Sequence, residues 1–220
     1  MKKRFREMGK NKYNPIEEKT VKFLSLRIAR LLKNVKIITP NRISIFRLLL
    51  ALLIAFLITK KELIISAVLV YFYFMLDKLD GDLARIRKTE SNSGAFIDSI
   101  IDNYSFIMLT IAAALEAGVT NPIIISMAVT CPILFFYHYF GRTIHLDTDS
   151  KRVKRVMENS RLRTLFAFSY GKLYLLLIAC LLLNILYYFL LVLALLQAYV
   201  ILWVIVYVYR GVKNEKKALS

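Results

Sequence analysis

Long apolar runs separated by short polar segments dominate most of the chain. A helix needs about 20 residues to cross roughly 30 Å of hydrocarbon. The last two runs form one nearly continuous stretch of about 45 residues, twice what a bilayer accommodates, so the chain must fold back there, and Asn184 is the expected turn. The runs predict six transmembrane helices: Ile43–Thr59, Leu63–Leu79, Ala95–Ala117, Pro122–Phe140, Leu165–Leu183 and Leu186–Tyr209.

An amphipathic segment precedes the first run. Between Ile16 and Val35, apolar residues recur at helical spacing with Lys and Arg between them. This pattern predicts a helix lying in the membrane interface, although a solvated helix packed on a partner would show the same pattern. The Pro40 break then turns the chain into the first span, because proline disfavours helix for the residue before it.

The distribution of Lys and Arg predicts the orientation of the spans, because cytoplasmic loops retain positive charge. With six spans both termini share a side, and only Lys60 and Lys61 of the 32 Lys and Arg fall on the other. We therefore expect a multi-pass cell-membrane protein with both termini in the cytosol. Residues 1–40 form a cytosolic segment with the amphipathic helix, residues 41–212 the six-helix domain and residues 213–220 a cytosolic tail.

Composition agrees with an all-α integral membrane protein. Hydrophobic residues make up 58% of the chain and the mean hydropathy is +0.54, whereas soluble domains are about 45–50% apolar. The formal net charge of +17 would suggest nucleic acid in a soluble protein, but here the charges flank apolar spans, and no nucleic-acid partner is expected. Cys131 and Cys180 lie within apolar runs without the spacing of a disulfide framework or zinc site.

Acidic residues concentrate where the second and third spans meet the cytosolic side. Asp77 and Asp80 are three residues apart, and Asp98 and Asp102 are four apart, so each pair shares one helical face. Asp82 lies off the first of these faces and is expected to be a solvated loop residue.

A charged side chain inside a bilayer costs about 2.5–3.5 kcal/mol, so four aspartates there need a physical reason. Protonation, basic partners or bound cations must relieve their mutual repulsion. Oxygen ligands without nearby His or Cys favour Mg²⁺ or Mn²⁺, and carboxylates that bridge two such ions form a clamp used in phosphoryl chemistry. Any one of these aspartates, taken alone, could equally be a helix-end carboxylate that reaches the membrane interface.

The complete pattern resembles the signature of the CDP-alcohol phosphotransferase family. It reads Asp77-x2-Asp80-Gly81-x2-Ala84-Arg85-x8-Gly94-x3-Asp98-x3-Asp102 and matches eight specified positions over 26 residues. The resemblance implies an enzyme of phospholipid biosynthesis that moves a phosphate-linked group, phosphatidyl or archaetidyl, from a CDP-activated lipid to an alcohol and releases CMP. A soluble CDP-alcohol donor stays open. A homodimer in contact with membrane lipids is a further expectation from the family.

The resemblance also implies a role for each residue of the motif. Two Mg²⁺ or Mn²⁺ ions would be held by Asp77, Asp80 and Asp98, while Asp102 would deprotonate the acceptor hydroxyl and touch one metal. The CDP pocket would be lined by Gly81, Ala84, Arg85, Ser91 and Gly94.

The acceptor is less constrained by the motif. Many relatives that use inositol phosphate carry Arg directly after the fourth aspartate, where this chain has Asn103. The basic loop from Arg142 to Arg163 could bind a phosphorylated acceptor, with Arg142 the best candidate, or could serve only the positive-inside rule and anionic lipid heads. His138 and His145 are expected in interface or packing roles.

Two other functions compete with the transferase. A transporter or proton-coupled carrier could use intramembrane carboxylates as a relay, but these carboxylates cluster at one membrane face. A prenyl-transferring membrane enzyme also uses aspartate-bound magnesium, but its usual second acidic motif is absent from the sequence.

Overall fold

The computed structural model describes residues 15–35, 37–130, 170–199 and 201–202, and every regular element within these ranges is an α-helix. The all-α fold class is therefore confirmed for the described part of the chain. The helices are α1 (Pro15–Leu32), α2 (Pro40–Thr59), α3 (Leu63–Arg87), α4 (Asn92–Glu116), α5 (122–130), α6 (Tyr170–Leu182) and α7 (Leu186–Tyr199).

The first three predicted spans correspond to α2, α3 and α4, and only α3 differs clearly in length. It continues two turns beyond Leu79 to Arg87. Hydropathy locates the end of an apolar run, whereas the helix ends where its backbone hydrogen bonds end, at the cap residue Lys88. The Lys88 N–H bonds the Arg85 carbonyl at 3.2 Å, and the left-handed backbone of Lys88 lets the Thr89 N–H bond the Ala84 carbonyl at 3.0 Å. The extra turns make the Gly81–Arg85 part of the motif helical.

Within the described residues, two helices are long and apolar enough to cross a membrane, namely Pro40–Thr59 and Ser93–Glu116. The last three predicted spans are described only in part, as α5, α6 and α7. The turn predicted between the last two spans is confirmed, because Asn184 has a φ of 54° and the Ile185 N–H bonds the Cys180 carbonyl at 2.9 Å. Asparagine tolerates this left-handed conformation better than most residues.

A tightly packed centre connects the helices. α2 packs on both α3 and α4, while α1 and α6 pack on α3. Beneath the acidic cluster lies a group of buried aromatic rings, in which Tyr174 stands 5.2 Å from Tyr73 and 5.5 Å from Phe106, centroid to centroid. Cys180 is buried and free, in agreement with a packing role. This centre fixes how α2, α3 and α4 face one another.

The first helix is held against α3 by polar contacts at two places. Ser25 donates a 2.6 Å hydrogen bond to Asp82. Beyond the end of α1, the Arg87 guanidinium donates to the carbonyl oxygens of Lys33 at 3.1 Å and Val35 at 2.8 Å, and also to those of Leu32 and Ile38. The helix Pro15–Leu32 covers most of the segment between Ile16 and Val35 and packs on α3, while its expected place in the membrane interface stays a prediction.

The expectation that Asp82 is a solvated loop residue is wrong. Asp82 lies within α3, is only 4% exposed and also pairs with Arg85 at 3.0 Å. It points away from the face that Asp77 and Asp80 share, as expected, but α1 covers that other side of α3. Face analysis of a single helix could not include this covering helix.

Replacing Arg87 should loosen α1 selectively. In Arg87→Gln most of the carbonyl contacts are lost, and we expect local opening to become easier by about 1–3 kcal/mol, which makes amide exchange in α1 about 5–150 times faster. Hydrogen exchange of the detergent-solubilised protein measures this directly. The neighbouring exposed Lys88, changed to Gln, is the matched control. Equal protection of α1 in Arg87→Gln and Lys88→Gln would contradict the docking role.

Candidate active site

The four aspartates of the motif converge at one end of the helix bundle. Asp77 and Asp80 extend from α3, and Asp98 and Asp102 from α4, as the three- and four-residue spacings predicted. All four contact the same side chain, that of Arg47 in α2. Three consecutive helices therefore contribute to one charged cluster.

Arg47 is the centre of this cluster. Its Nη1 donates to Asp80 at 2.8 Å and to Asp98 at 2.5 Å, and its Nη2 donates to Asp77 at 2.8 Å and also to Asp102. Each terminal nitrogen carries two N–H groups, so four donors serve four carboxylates. The Arg47 side chain is fully buried.

Sequence reasoning missed Arg47. It was treated as one of many basic residues that mark the cytosolic side, although it lies inside the first apolar run, four residues past Ile43. The energetic argument applied to the aspartates holds equally for a buried arginine, since a charge in an apolar span needs a partner. That signal was available in the sequence.

Neighbouring polar groups fix the individual carboxylates. Ser44 donates to Asp80 at 3.0 Å, and Lys78 pairs with Asp77 at 2.7 Å. The Tyr73 hydroxyl donates to Asp102 at 3.5 Å, while the Arg47 guanidinium lies 5.0 Å from the centre of the Tyr73 ring. Tyr73 therefore supports both Arg47 and Asp102, partly through a cation–π contact.

Three of the aspartates are close enough to one another to hold a metal ion. Asp77, Asp98 and Asp102 each offer one carboxylate oxygen, and these oxygens lie within 4.8 Å of one another. Oxygen ligands at about 2.1 Å from an octahedral Mg²⁺ stand about 3 Å apart when adjacent and about 4 Å apart when opposite. Small side-chain movements would therefore suit the three residues to a hard divalent ion. Asp80 is not a member of this trio, but it contacts the same arginine, Arg47.

Electrostatics also favours an added cation. Two carboxylates about 4 Å apart repel by about 4 kcal/mol at an effective dielectric constant near 20. The cluster has four carboxylates, while Arg47 and Lys78 supply two positive charges, so an excess of negative charge would remain with all four carboxylates ionised. Asp98 is the most accessible carboxylate, with 37% of its side chain exposed, compared with 5% for Asp80.

The residues expected to bind CDP lie around the turn between α3 and α4. Arg85 is about half exposed and bonded to Asp82, and a Cβ added to Gly81 would stand 3.0 Å from the Arg85 Nη2 atom. Ser91 caps α4 by accepting the Gly94 N–H at 3.0 Å. Both glycines thus leave room for a neighbouring polar side chain.

Of the remaining residues singled out in the sequence, one lies in the described part of the chain and three lie outside it. Ala84 lies in α3 beside Arg85, half-buried. Arg142, the candidate for acceptor binding, lies outside the described residues, as do His138 and His145. Their roles stay predictions.

Comparison with known proteins identifies relatives of this chain. The sequence profile of the family described as CDP-alcohol phosphatidyltransferase matches residues 37–209. A protein of Thermococcus kodakarensis named bifunctional IPC transferase and DIPP synthase is 35% identical over 96 residues, which are 42% of this chain and 22% of that protein. An uncharacterized protein of Aquifex aeolicus is 35% identical over 68 residues, 31% of this chain and 35% of that protein.

The matched segments therefore span well under half the length of either relative. The family match does not favour the transporter or prenyl-transferring alternatives.

Loss of one carboxylate of the trio should weaken metal binding. Asp98→Asn keeps the shape of the side chain and removes its charge, so we expect Mn²⁺ affinity to fall more than about tenfold, because even indirect support of a metal ligand is worth 10–100-fold. Electron paramagnetic resonance of free Mn²⁺ measures the affinity in detergent. Glu90→Gln, which changes an exposed acidic residue in the connection that precedes α4, should bind like wild type. Unchanged affinity in Asp98→Asn would remove Asp98 from the metal site.

Proposed function

Because the chain belongs to the CDP-alcohol phosphatidyltransferase family, we propose that it transfers a phosphatidyl or archaetidyl group from a CDP-activated lipid to an alcohol and releases CMP. The observation that carries the proposal is the convergence of the four motif aspartates from α3 and α4. The Thermococcus kodakarensis relative, a transferase by its name, supports the same reaction class.

The proposed reaction is a displacement at phosphorus. The acceptor oxygen attacks the β-phosphorus of the CDP-linked donor, and the bond from that phosphorus to the bridging oxygen breaks. The bridging oxygen leaves with CMP, and the acceptor proton is transferred to Asp102. The products are a phosphodiester-linked lipid and CMP.

Asp102 is well placed to act as the base. It is largely buried, which excludes competing water, and the Tyr73 hydroxyl and Arg47 fix its orientation. Two Mg²⁺ or Mn²⁺ ions, held by Asp77, Asp80 and Asp98 with Asp102 touching one of them, would neutralise the diphosphate and the leaving CMP. Ser44 would hold Asp80 in position for this task.

The α3–α4 turn is the proposed CDP site. Arg85 is exposed enough to exchange Asp82 for a donor phosphate, for which a guanidinium is well suited. Gly81 and Gly94 would keep the backbone accessible, and Ser91 would contact the nucleotide from the first turn of α4. The donor is lipid-linked and its acyl or ether chains would stay in the bilayer while the diphosphate reaches the aspartates.

The membrane arrangement belongs to the same proposal. We place six spans in the cell membrane, with the active site and both termini in the cytosol, and expect a homodimer as in the family. Exposed apolar side chains along α2, such as Ile45, Leu49 and Phe56, support a lipid-facing surface. Within α1, exposed Phe23 and Leu31 support a position in the membrane interface.

Release of CMP tests the reaction. Purified protein, Mn²⁺ and CDP-diacylglycerol or its archaeal ether counterpart are incubated with inositol phosphate, glycerol phosphate or serine, and CMP is quantified. Wild type should release CMP with at least one acceptor, while Asp102→Asn should lose about 10²–10⁴-fold in rate because the base is removed. Glu90→Gln should retain wild-type rates. If no pair yields CMP, or if Asp102→Asn matches wild type, the proposed function fails.

Cysteine labelling tests the orientation. Lys61, in the turn between α2 and α3, and Lys88, after α3, are both exposed and should lie on opposite sides of the membrane. Each is changed to Cys in a chain whose Cys131 and Cys180 are replaced by serine. An impermeant thiol reagent should label Lys61→Cys in intact cells and Lys88→Cys only after the cells are opened. The reverse pattern would invert the proposed topology.

A further inference from the structure

The cation at the middle of the acidic cluster is part of the protein itself. Arg47 contacts all four aspartates through its two terminal nitrogens. Its Nε is buried and has no acceptor among the described residues. The guanidinium is therefore directed at the carboxylates through its terminal nitrogens, rather than being satisfied by the surrounding backbone.

The acceptors of Arg47 coincide with the candidate metal ligands. Arg47 donates hydrogen bonds to the Oδ1 atoms of Asp77, Asp98 and Asp102, and these same three residues form the trio whose carboxylate oxygens lie within 4.8 Å of one another. A divalent ion among them would share these carboxylates with the guanidinium. Since the two are like charges a few ångström apart in a buried site, each weakens the binding of the other.

Arg47 also has an anchor outside the trio. Asp80 accepts hydrogen bonds from both Arg47 and Ser44, at 2.8 and 3.0 Å, and both donors belong to α2. The Tyr73 ring packs against the guanidinium from α3. Arg47 can therefore yield the trio to another cation while Tyr73 and the Asp80 Oδ2 atom keep it close, and the other Asp80 oxygen would serve the metal role proposed above.

We propose that Arg47 is the resident counter-ion of the cluster, which holds the four aspartates together without metal and competes with divalent ions for the trio. This inference rests on the metal role proposed above for the aspartates. Arg47 is accordingly a positioning residue. Its positive charge keeps the site folded when no metal is bound and lowers the intrinsic affinity of the site for metal.

The test compares metal affinity and thermal stability in the full-length chain in detergent. Arg47→Gln removes the charge, and Arg47→Lys keeps the charge but has a single nitrogen. The control, Arg42→Gln, removes one exposed charge from the same helix, where Arg42 bonds the Ile37 carbonyl. Free Mn²⁺ is measured by electron paramagnetic resonance, and melting is followed in EDTA and in saturating Mn²⁺.

We expect Arg47→Gln to bind Mn²⁺ at least about tenfold more tightly than wild type, because a competing like charge is gone. In EDTA it should melt below wild type, and saturating Mn²⁺ should recover most of this difference. Arg47→Lys should lie between wild type and Arg47→Gln in both Mn²⁺ affinity and melting temperature, and Arg42→Gln should behave as wild type. A merely structural role would lower the melting temperature equally in both conditions and leave Mn²⁺ affinity unchanged or weaker.

Each remaining outcome decides the question. If wild type binds Mn²⁺ and Arg47→Gln binds it equally or less tightly, the counter-ion role is overturned while the proposed function survives. If neither binds Mn²⁺, the metal role of the aspartates fails and this inference fails with it. Should Arg47→Gln not fold, Arg47→Lys must bind Mn²⁺ more tightly than wild type, and equal or weaker binding overturns the inference.

Discussion

The structure depends on one electrostatic constraint, the burial of an arginine among four aspartates. Arg47 comes from α2 and its partners from α3 and α4, so the cluster joins three consecutive helices at a single point. Removing one member of a buried ion pair typically costs about 3–5 kcal/mol, because the other charge is left uncompensated. The same contacts that give the site its chemistry therefore also determine how these helices pack.

The packing beneath the cluster follows from this constraint. Tyr73 links the guanidinium to the aromatic group around Tyr174 and Phe106, which fills the space between α3, α4 and α6. Polar chemistry at one end of the bundle thus rests directly on a rigid apolar core. Such support is what a site needs if its carboxylates are to keep their geometry while a substrate binds and leaves.

The sequence predicted much of the site, for identifiable reasons. The spacings of Asp77, Asp80, Asp98 and Asp102 give their helical faces, and an eight-position motif led to a family that the profile match confirms. The ends of helices were harder to predict, because the apolar run ends at Leu79 whereas the backbone hydrogen bonds of α3 continue to Arg87.

Contacts between distant elements could not be read from one helix at a time. The environment of Asp82 was predicted wrongly because α1 covers this residue. The contact comes from Ser25, which precedes Asp82 by 57 residues in the sequence. Arg47 was overlooked because basic residues were counted for orientation and not weighed as partners for buried acids. Both errors concern tertiary contacts, which spacing along one element does not encode.

The short connection between α3 and α4 fixes the spacing between the two halves of the motif. The left-handed cap at Lys88 ends one helix and the Ser91 cap begins the next, which leaves only Thr89 and Glu90 between them. One residue inserted after Ser91 would turn Asp98 and Asp102 by about 100° around the axis of α4 and away from Asp77. The hairpin thus keeps the aspartate face of α3 and the aspartate face of α4 directed at each other.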